Sequence, residues 1–582
     1  MSPDQIQHAL DELSAIAGFF LDVAEECIAA DDQEGAMKAA HVAAWVLRTQ
    51  NRELSWARVE SVFQTIARTL PQAEWKRREK TSITDRKPTW LHVITEALPH
   101  GGHTVIASRW MHDDPDGTHS VALLAQKRPV PPELLTAVTE SGGQVHQADA
   151  NASFLGRADW LRKLAFETAD YVVLHIDMDD VIAPVAFGCA GGPPVLFLNH
   201  AAHVFWTGAS VVDLAVNCRG SELETYWTAH YRGIPRCATV PIPLVEPPPV
   251  DADAAQAGRI RARQMAGVAE NEILVLTSGD SYKYSPVDGL DFVSVCEEIL
   301  RASPAMRVIA LGATEDTRWK QARERTNGRL KTVGRQPRDQ VAIYLQAADI
   351  YVEGFPFGST TALLEAGMQG LPAVLAPVQC PPPYGTDGVA VDEVLERAAT
   401  IEAYKNKIIE LAADADLRSQ SGKILREAIQ RHHLGEGWRR YIENVRRQSP
   451  VEHAIHPPTT PPRTPKSDHE YWTRFHRQSA LGSATPVEDA AVYALAIGLR
   501  PARGRTETAS QNGAGHVRAR LLTAFGDRCC VAGDLASARE FYQRALRLWP
   551  GMNKVRAKRW MLSFGRPGER LWNGLGSIAG RR

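Results

Sequence analysis

The chain has 582 residues, of which 44% are hydrophobic and 23% are charged. This composition excludes a largely disordered protein, and the length suffices for about three or four domains. The 66 basic and 68 acidic residues leave a formal net charge of −2, so no overall field attracts nucleic acid or anionic lipid.

The sequence also argues against a membrane or secreted protein. No apolar run approaches the roughly 18–20 residues of a membrane helix, and the N-terminal residues lack the basic and apolar pattern of a secretory signal. Eight scattered cysteines without a CxxC pair favour neither a disulfide framework nor a zinc site. We therefore predict a protein of the reducing cytoplasm without a transmembrane segment.

Residues 1–87 have the pattern of a small helical module. Apolar residues recur at steps of three and four, and a polar turn at 30–35 separates the first two apolar stripes. No cluster of polar residues in this module suggests chemistry.

Residues 88–250 and 251–448 each alternate short β-branched runs with helical stretches. Such alternation favours parallel strands joined by crossover helices, and hence two consecutive doubly wound lobes. A proline cluster at 241–249 is predicted to link them, and a helical stretch at 401–445 to close the second lobe. The predicted strands are 90–94, 121–124, 171–176, 195–198, 214–217, 238–242, 273–277, 307–311, 330–333, 349–352 and 373–376.

The last part of the chain is predicted to be a linker followed by helices. Residues 449–467 contain so many prolines that we expect a semi-rigid linker that does not pack. Within 468–582, small residues, an aromatic residue and a terminal proline have the spacing of one tetratricopeptide (TPR) repeat: Gly526, Gly533, Ala538, Tyr542, Ala545 and Pro550. This TPR-like region is either a protein-docking surface or a packing appendage.

The run 352–374 carries most of the predicted chemistry. A strand ends, a loop containing glycine and proline follows, and Ser359, Thr360 and Thr361 open a helix. The free N–H groups and positive dipole end of such a helix favour a phosphate or diphosphate. Glu365, one turn later, is placed to accept hydrogen bonds from a sugar or ribose hydroxyl. The alternative is that Ser359 or Thr360 only caps the helix.

This run, with its loop sequence EGFPFGSTT and the later Gly370-Leu371-Pro372, resembles the donor-binding segment of GT-B glycosyltransferases. It is most similar to the O-linked N-acetylglucosamine transferase family and its bacterial relatives. The loop 278–286 is similar to the loop of that family that brings a lysine to the nucleotide diphosphate, which here is Lys283. The twelve-residue spacing of Glu353 and Glu365 departs from the retaining pattern of eight and favours the inverting group.

The resemblance implies a GT-B fold of two Rossmann-like lobes, with the donor in the second lobe and the acceptor in the first. The implied co-substrate is a nucleotide sugar, expected to be UDP-linked, without a further cofactor or a metal ion. The implied donor-binding residues are Ser278, Gly279, Lys283, Gly334, Arg335, Gly358, Ser359, Thr360, Thr361 and Glu365.

The first lobe contributes three candidate clusters after predicted strands. His103, in the run His100-Gly101-Gly102-His103, is the leading candidate for the general base, and His203 is a further catalytic candidate. Phe205 and Trp206, beside His203, suit either sugar stacking or the core. His175 and Asp177 suit the acceptor cleft better than a metal site, and acidic residues at a helix start are common for dipole reasons.

We therefore predict a glycosyltransferase that transfers a sugar from a nucleotide-diphosphate donor to a protein or glycan acceptor, with Lys283 in place of a metal ion. Its helical ends are expected to allow protein docking, and no nucleic-acid partner is expected. The alternatives are a GT-B-fold sugar-nucleotide epimerase or phosphorylase, and a non-catalytic scaffold.

Overall fold

The structure is a computed structural model that describes residues 1–71, 86–99, 102–246, 251–378, 384–479, 485–499 and 514–562. It contains two parallel β-sheets, so the chain has two α/β lobes that follow each other as the alternating pattern predicted. Among the described helices, none combines the length and the apolar character needed to cross a lipid bilayer.

The first lobe is built on a seven-stranded sheet in the order β3-β2-β1-β4-β5-β6-β7. Its strands are β1 (Thr89–Ile94), β2 (Thr118–Leu123), β3 (Val145–Gln147), β4 (Tyr171–His175), β5 (Val195–Asn199), β6 (Leu214–Asn217) and β7 (Cys237–Thr239). The pattern did not predict β3, because this edge strand has three residues and none of them is fully buried.

The second lobe has a five-stranded sheet in the order β10-β9-β8-β11-β12. Its strands are β8 (Ile273–Ser278), β9 (Met306–Leu311), β10 (Leu330–Thr332), β11 (Ile350–Val352) and β12 (Ala373–Val374). The central strands β8 and β11 are almost wholly buried, as expected for a parallel sheet covered on both faces.

Helices cover both sheets. The first lobe has α4 (Gly102–Asp113), α5 (Pro132–Glu140), α6 (Phe154–Thr168), α7 (Ile182–Ala186) and α8 (Glu222–His230). The second has α9 (Ala252–Ala266), α10 (Phe292–Ala302), α11 (Thr317–Arg325), α12 (Arg338–Ala347), α13 (Thr360–Met368), α14 (Val391–Val394), α15 (Ile401–Ala413), α16 (Ala415–His433) and α17 (Gly435–Gln448). The last of these, α17, crosses back to pack on α4 and β7 of the first lobe. The end of the stretch 401–445, which was predicted to close the second lobe, therefore contacts both lobes.

Helices from the two ends of the chain form one bundle against the first lobe. The N-terminal members are α1 (Pro3–Ala29), α2 (Gln33–Leu47) and α3 (Ala57–Ala67). The C-terminal members are α18 (Lys466–Gln478), α19 (Pro486–Ala496), α20 (Ala514–Val531), α21 (Leu535–Leu548) and α22 (Asn553–Leu562). Both groups share a hydrophobic core with α6 and α7, and Gly526 on α20 lies directly against the ring of Tyr542 on α21.

The prediction that residues 449–467 do not pack was wrong. His453 is buried, with Nδ1 2.8 Å from Asp213 Oδ2 and Nε2 2.8 Å from the carbonyl of Phe187. Thr464 is buried as well and donates to the carbonyl of Asn51 over 2.8 Å. Proline removes N–H donors but leaves carbonyls and neighbouring polar side chains to make such bonds, so the segment docks without regular structure.

The first predicted linker also packs along residues 241–244, while residues 245 and 246 are exposed. Residues 240–244 are buried, and the indole of Trp438 donates to the carbonyl of Pro241 over 2.8 Å. Residues 247–250 lie outside the described part of the chain. The crossover between the lobes is therefore anchored by α17.

His453→Ala is expected to lower the free energy of unfolding by roughly 2–4 kcal/mol, because it leaves a cavity and an underpaired buried carboxylate on Asp213. Calorimetric melting and limited proteolysis of the 449–465 segment measure the effect. The exposed neighbour Glu452 supplies the control, since Glu452→Ala removes no buried contact. Equal melting temperatures and cleavage rates for both variants would show that His453 does not hold the segment.

Candidate active site

A cavity of about 840 Å³ lies between the two lobes. On the second-lobe side it is bounded by the loops after β8 and β11 and by the start of α13, and on the first-lobe side by α4 and the loops after β5 and β6. These are the carboxyl ends of parallel strands, where doubly wound sheets bind ligands. We call this cavity the cleft.

Lys283 lies in a short 3-10 turn, Ser281–Tyr284, directly after β8. Its Nζ donates to the carbonyl of Gly358 over 2.8 Å and to Ser359 Oγ over 3.0 Å, and it lies 5.1 Å from the centre of the Phe357 ring. Burial lowers the pKa of Lys283 to about 8. The ammonium is therefore held by neutral oxygen atoms and an aromatic face in the wall of the cleft.

Helix α13 begins in the same wall. Ser359 is its N-cap residue but makes no side-chain cap hydrogen bond, because its hydroxyl instead accepts from Lys283. Thr360 and Thr361 follow it and also line the cleft. The interpretation of Ser359 as a simple cap is therefore wrong, and the first turn of α13 presents its N–H groups without a side-chain cap.

The loop after β8 approaches this helix closely through a glycine. A Cβ atom placed on Gly279 would be 3.1 Å from Lys283 Cδ and 3.2 Å from Ser359 Oγ. Ser278 and Gly279 both line the cleft. A larger residue at 279 would push the ammonium away from α13.

Gly334 and Arg335 follow β10 at the edge of the cleft. Gly334 has a φ of +62° and its carbonyl accepts from the N–H of Gly312 over 2.7 Å, which favours glycine there. Arg335 lines the cleft, and its guanidinium donates two 3.0 Å hydrogen bonds to Asp280. Gly334 thus shapes the loop, while Arg335 presents charge to the cleft.

Glu353 holds the loop before α13. It is buried, it accepts from the backbone N–H groups of Ala376 (2.7 Å) and Thr386 (2.6 Å), and it pairs with Arg397 at 3.2 Å. A Cβ on Gly358 would lie 2.1 Å from the Glu353 carboxylate, so only glycine fits beside it. The first acidic residue of the motif is thus an anchor for the loop.

Glu365 lines the cleft, but its carboxylate is already engaged. Its Oε1 accepts from Arg109 over 2.7 Å and from Arg338 over 3.1 Å, and burial raises its pKa. Arg109 is a buried residue of α4 in the first lobe, so this ion pair joins the lobes. No pattern in the sequence singled out Arg109, because a lone arginine on a helix carries no spacing signal.

His103 and His200 face each other on the first-lobe side of the cleft. Their ring centres are 5.4 Å apart, and His103 Nε2 lies 3.3 Å from the carbonyl of Glu96. Both histidines line the cleft. His100 and Gly101, the first two residues of the predicted cluster that ends at His103, lie outside the described residues.

His203 lies in an aromatic cluster. Its ring centre is 5.1 Å from Phe357, 5.8 Å from Tyr384 and 5.0 Å from Trp472, and it borders the cleft. Burial, helped by the charges of Arg219 and Lys283, lowers its pKa to about 3. His203 is therefore neutral and a very weak base.

The structure decides between the two alternatives for Phe205 and Trp206 in favour of the core, and the prediction that His175 lines the acceptor cleft was wrong. Phe205 and Trp206 are buried in the hydrophobic core and offer no stacking surface to the cleft. His175 is also fully buried, beneath the cleft wall. Asp180 accepts from the N–H groups of Ile182 and Ala183, as an acid at a helix start does. Across the described residues, no group of three His, Cys, Asp or Glu side chains is arranged to hold a metal ion.

Arg219, after β6, is a cleft residue that sequence reasoning missed. It lies 2.6 Å from Asp387 and 3.5 Å from Glu224, and its carbonyl accepts from Val389 of the second lobe. Its partners are far apart in the sequence, so only the folded chain reveals them.

Comparison with solved structures places this architecture beside known enzymes. The chain is 14% identical to a mutant of the Thermobaculum terrenum O-GlcNAc transferase, covering 75% of this chain and 84% of that one with a TM-score of 0.44. It is 11% identical to a glycosyltransferase from Rickettsia africae (62% and 98% covered, TM-score 0.47) and 14% identical to Anabaena HepE, solved with UDP-glucose (62% and 100%, 0.45). No protein-family model and no curated protein sequence matches the chain. The solved structures to which the chain is similar thus include an O-GlcNAc transferase and a glycosyltransferase.

Gly358→Ala is expected to displace the loop before α13, because the added methyl group overlaps the anchored Glu353 carboxylate. Such overpacking costs roughly 1–3 kcal/mol of unfolding free energy. Thermal melting measures the loss. Gly102→Ala on the opposite wall is the matched control, since a Cβ there contacts nothing within 4 Å. If both variants melt like the parent protein, Glu353 does not constrain this loop.

Proposed function

We propose that this protein is a glycosyltransferase that transfers a sugar from a nucleotide-diphosphate donor to an acceptor hydroxyl or amide. One observation carries the proposal. The half-buried ammonium of Lys283 and the uncapped first turn of α13 face the same cleft and are joined through Ser359. A cation beside free helix N–H groups suits a diphosphate, the leaving group of such a donor.

The donor would lie on the second lobe with its diphosphate against Lys283, Thr360 and Thr361. As the bond from the sugar to the diphosphate breaks, negative charge develops on the phosphate oxygens. The ammonium and the helix N–H groups are already oriented toward that charge, so they stabilise the transition state without reorganisation. This arrangement supplies the electrostatic role that a metal ion plays in other transferases, and we propose that the reaction proceeds without one. The nucleotide is expected to be uridine diphosphate.

The acceptor would bind on the first-lobe side, with His103 as the general base. An efficient base has a pKa near the working pH, and burial leaves His203 far below it. We therefore assign proton removal to His103 and contact with the bound substrates to His203. Closure of the lobes across the Arg109–Glu365 ion pair would exclude water and limit hydrolysis of the donor.

A cleft of about 840 Å³ has room for a sugar nucleotide together with the acceptor group. We propose a protein or a glycan as the acceptor, with the TPR-like pair α20 and α21 as a docking element in the first case. We also propose hexosyl or N-acetylhexosaminyl transfer in the cytoplasm. These finer assignments rest on the motifs and on the size of the cleft.

Lys283→Ala removes the cation and is expected to lower kcat by about 10²–10³, with UDP binding weakened by about tenfold or more. Titration calorimetry and a transfer assay measure the two effects. Lys320→Ala, an exposed lysine on α11 of the same lobe, is the matched control. If Lys283→Ala binds UDP and turns over like the control, the proposed diphosphate site is refuted.

UDP affinity is expected to depend on pH through Lys283, whose pKa is lowered to about 8 by burial. The ammonium is present below that pH and lost above it, so Kd should stay nearly level up to about pH 7.5. It should then rise toward tenfold per pH unit above about pH 8.5. Lys283→Ala should lack this alkaline rise. A Kd that is level from about pH 7 to 9.5 in the parent protein contradicts the role given to the ammonium.

A thermal-shift screen against nucleotide diphosphates and sugar nucleotides identifies the donor, because a bound ligand raises the melting temperature by mass action. Incubation with the sugar nucleotide alone distinguishes a glycosyltransferase from an epimerase or a phosphorylase. An epimerase converts the sugar without an acceptor, and a phosphorylase requires phosphate. Absence of any shift across the screen favours a scaffold.

A further inference from the structure

Three histidines form a hydrogen-bonded row inside the first lobe. His119 on β2, His92 on β1 and His175 on β4 come from adjacent strands and are fully buried. His119 Nδ1 lies 3.0 Å from His92 Nε2, and His92 Nδ1 lies 2.9 Å from His175 Nε2. In register, His119 pairs with Trp90 and His175 with Ile94, each two residues from His92, so the three side chains share one face of the sheet.

One end of this histidine row faces a buried carboxylate. His119 Nε2 lies 3.3 Å from the carbonyl oxygen of Asp114 and 3.4 Å from its Oδ2. Arg446 of α17 pairs with the same carboxylate at 2.7 Å. Burial alone raises the pKa of Asp114, but the hydrogen bond from His119 and the charge of Arg446 bring it below its ordinary value. Asp114 is therefore ionised and only accepts hydrogen bonds.

The other end of the row faces the cleft wall. His175 Nδ1 is buried and has no hydrogen-bond partner among the described residues, and the same is true of His200 Nδ1. His103 on α4 and His200 after β5 are the titratable groups near this end, and both line the cleft. The row thus extends from the ion pair of Asp114 and Arg446 to His175, and its unpartnered end lies toward His103 and His200 of the candidate acceptor site.

With all three rings neutral, the hydrogen bonds allow one arrangement of the protons. Since Asp114 only accepts, His119 Nε2 must carry the hydrogen, and the neutral ring leaves Nδ1 as an acceptor. His92 must then donate through Nε2 and accept at Nδ1, and His175 must donate through Nε2. His175 Nδ1 is left without a proton at the end nearest the cleft, and burial lowers the pKa of this ring well below its ordinary value, so it passes a proton on to His92 and does not retain it.

We propose that these three histidines are positioning residues that relay the acceptor proton away from the cleft base, an inference that rests on the glycosyl transfer proposed above. The base removes the acceptor proton as the acceptor bonds to the sugar and the sugar–diphosphate bond breaks. The base then passes this proton to His175 Nδ1 through a water molecule between the two, because His175 Nδ1 has no direct hydrogen bond to the base. The Nε2 proton of His175 moves to His92 Nδ1, and the Nε2 proton of His92 moves to His119 Nδ1.

This relay moves one positive charge across the core by three short proton transfers, and no single proton crosses the whole distance. It ends with a His119 imidazolium beside the Asp114 carboxylate, where the opposite charge stabilises it. The three steps reverse after product release, and the proton returns through the base to solvent. Because the charge is shared with the His119–Asp114 pair, the cleft base behaves as a stronger base than an isolated imidazole would.

The test uses glutamine, which can donate and accept hydrogen bonds but does not relay protons. His92→Gln is expected to lower the plateau of kcat by about tenfold or more and to move the acid limb of its pH profile to lower pH. UDP affinity should be unchanged. His433→Gln is the control, because His433 is equally buried but bonds to the carbonyls of Ile242 and Val389, away from the row.

Two outcomes overturn the relay. One is a His92→Gln enzyme with the parent plateau and acid limb, which makes the row only a hydrogen-bonded part of the core. If His92→Gln does not fold, His119→Gln is measured in the same way. The other is retention of Nε2–H on His175 during an acid titration, measured by ¹⁵N spectra of the labelled histidines, which require no turnover. The relay predicts that acidification protonates His119 while His92 and His175 exchange their Nε2–H for Nδ1–H in the same step.

The spectra also separate this inference from the proposed function. A concerted exchange of tautomers in a protein without transferase activity shows the relay in place and refutes only the glycosyl transfer. Retention of Nε2–H on His175 throughout the titration refutes the relay, even if donor binding and turnover are as proposed.

Discussion

The cleft is organised around a half-buried ammonium, that of Lys283, whose hydrogen-bond partners are neutral. Within the described parts of the chain, Lys283 makes no ion pair, and its nearest partners are the Gly358 carbonyl, the Ser359 hydroxyl and the Phe357 ring. Its desolvation is therefore incompletely compensated, which is why its pKa falls. An arriving anion supplies the missing charge, so the same interaction that joins two loops of the second lobe also prepares them for a diphosphate.

Distant parts of the chain support this arrangement. The Phe357 ring beneath Lys283 stacks on Phe475 of α18 at 6.0 Å and also contacts Trp472. Helix α18 follows the proline-rich segment that docks on the first lobe, so the end of the chain buttresses the donor loop. The C-terminal helices thus contribute to the geometry of the cleft as well as to the bundle.

The two sides of the cleft differ in how readily sequence reasoning reaches them. The residues proposed to bind the donor are grouped in short runs, since a strand, a tight loop and a helix start place neighbours in sequence on one wall of the cleft. The acceptor side draws on α4, β4 and the loops after β5 and β6. His92, His119 and His175 therefore meet only because parallel pairing sets their strands in register, and no local pattern marks them.

Local patterns were sufficient for the alternation of strands and helices and for the two lobes, whereas the roles of Gly279, Gly358 and Lys283 were implied by the resemblance to a known family. The alternation follows from neighbouring residues, because periodicity acts over a few positions. Long-range packing decided the rest. It buried Phe205, Trp206 and His175, docked the proline-rich segment, and paired Arg109 with Glu365. Burial and cross-lobe charge depend on which surfaces meet, and residues hundreds of positions apart become neighbours only in the folded chain.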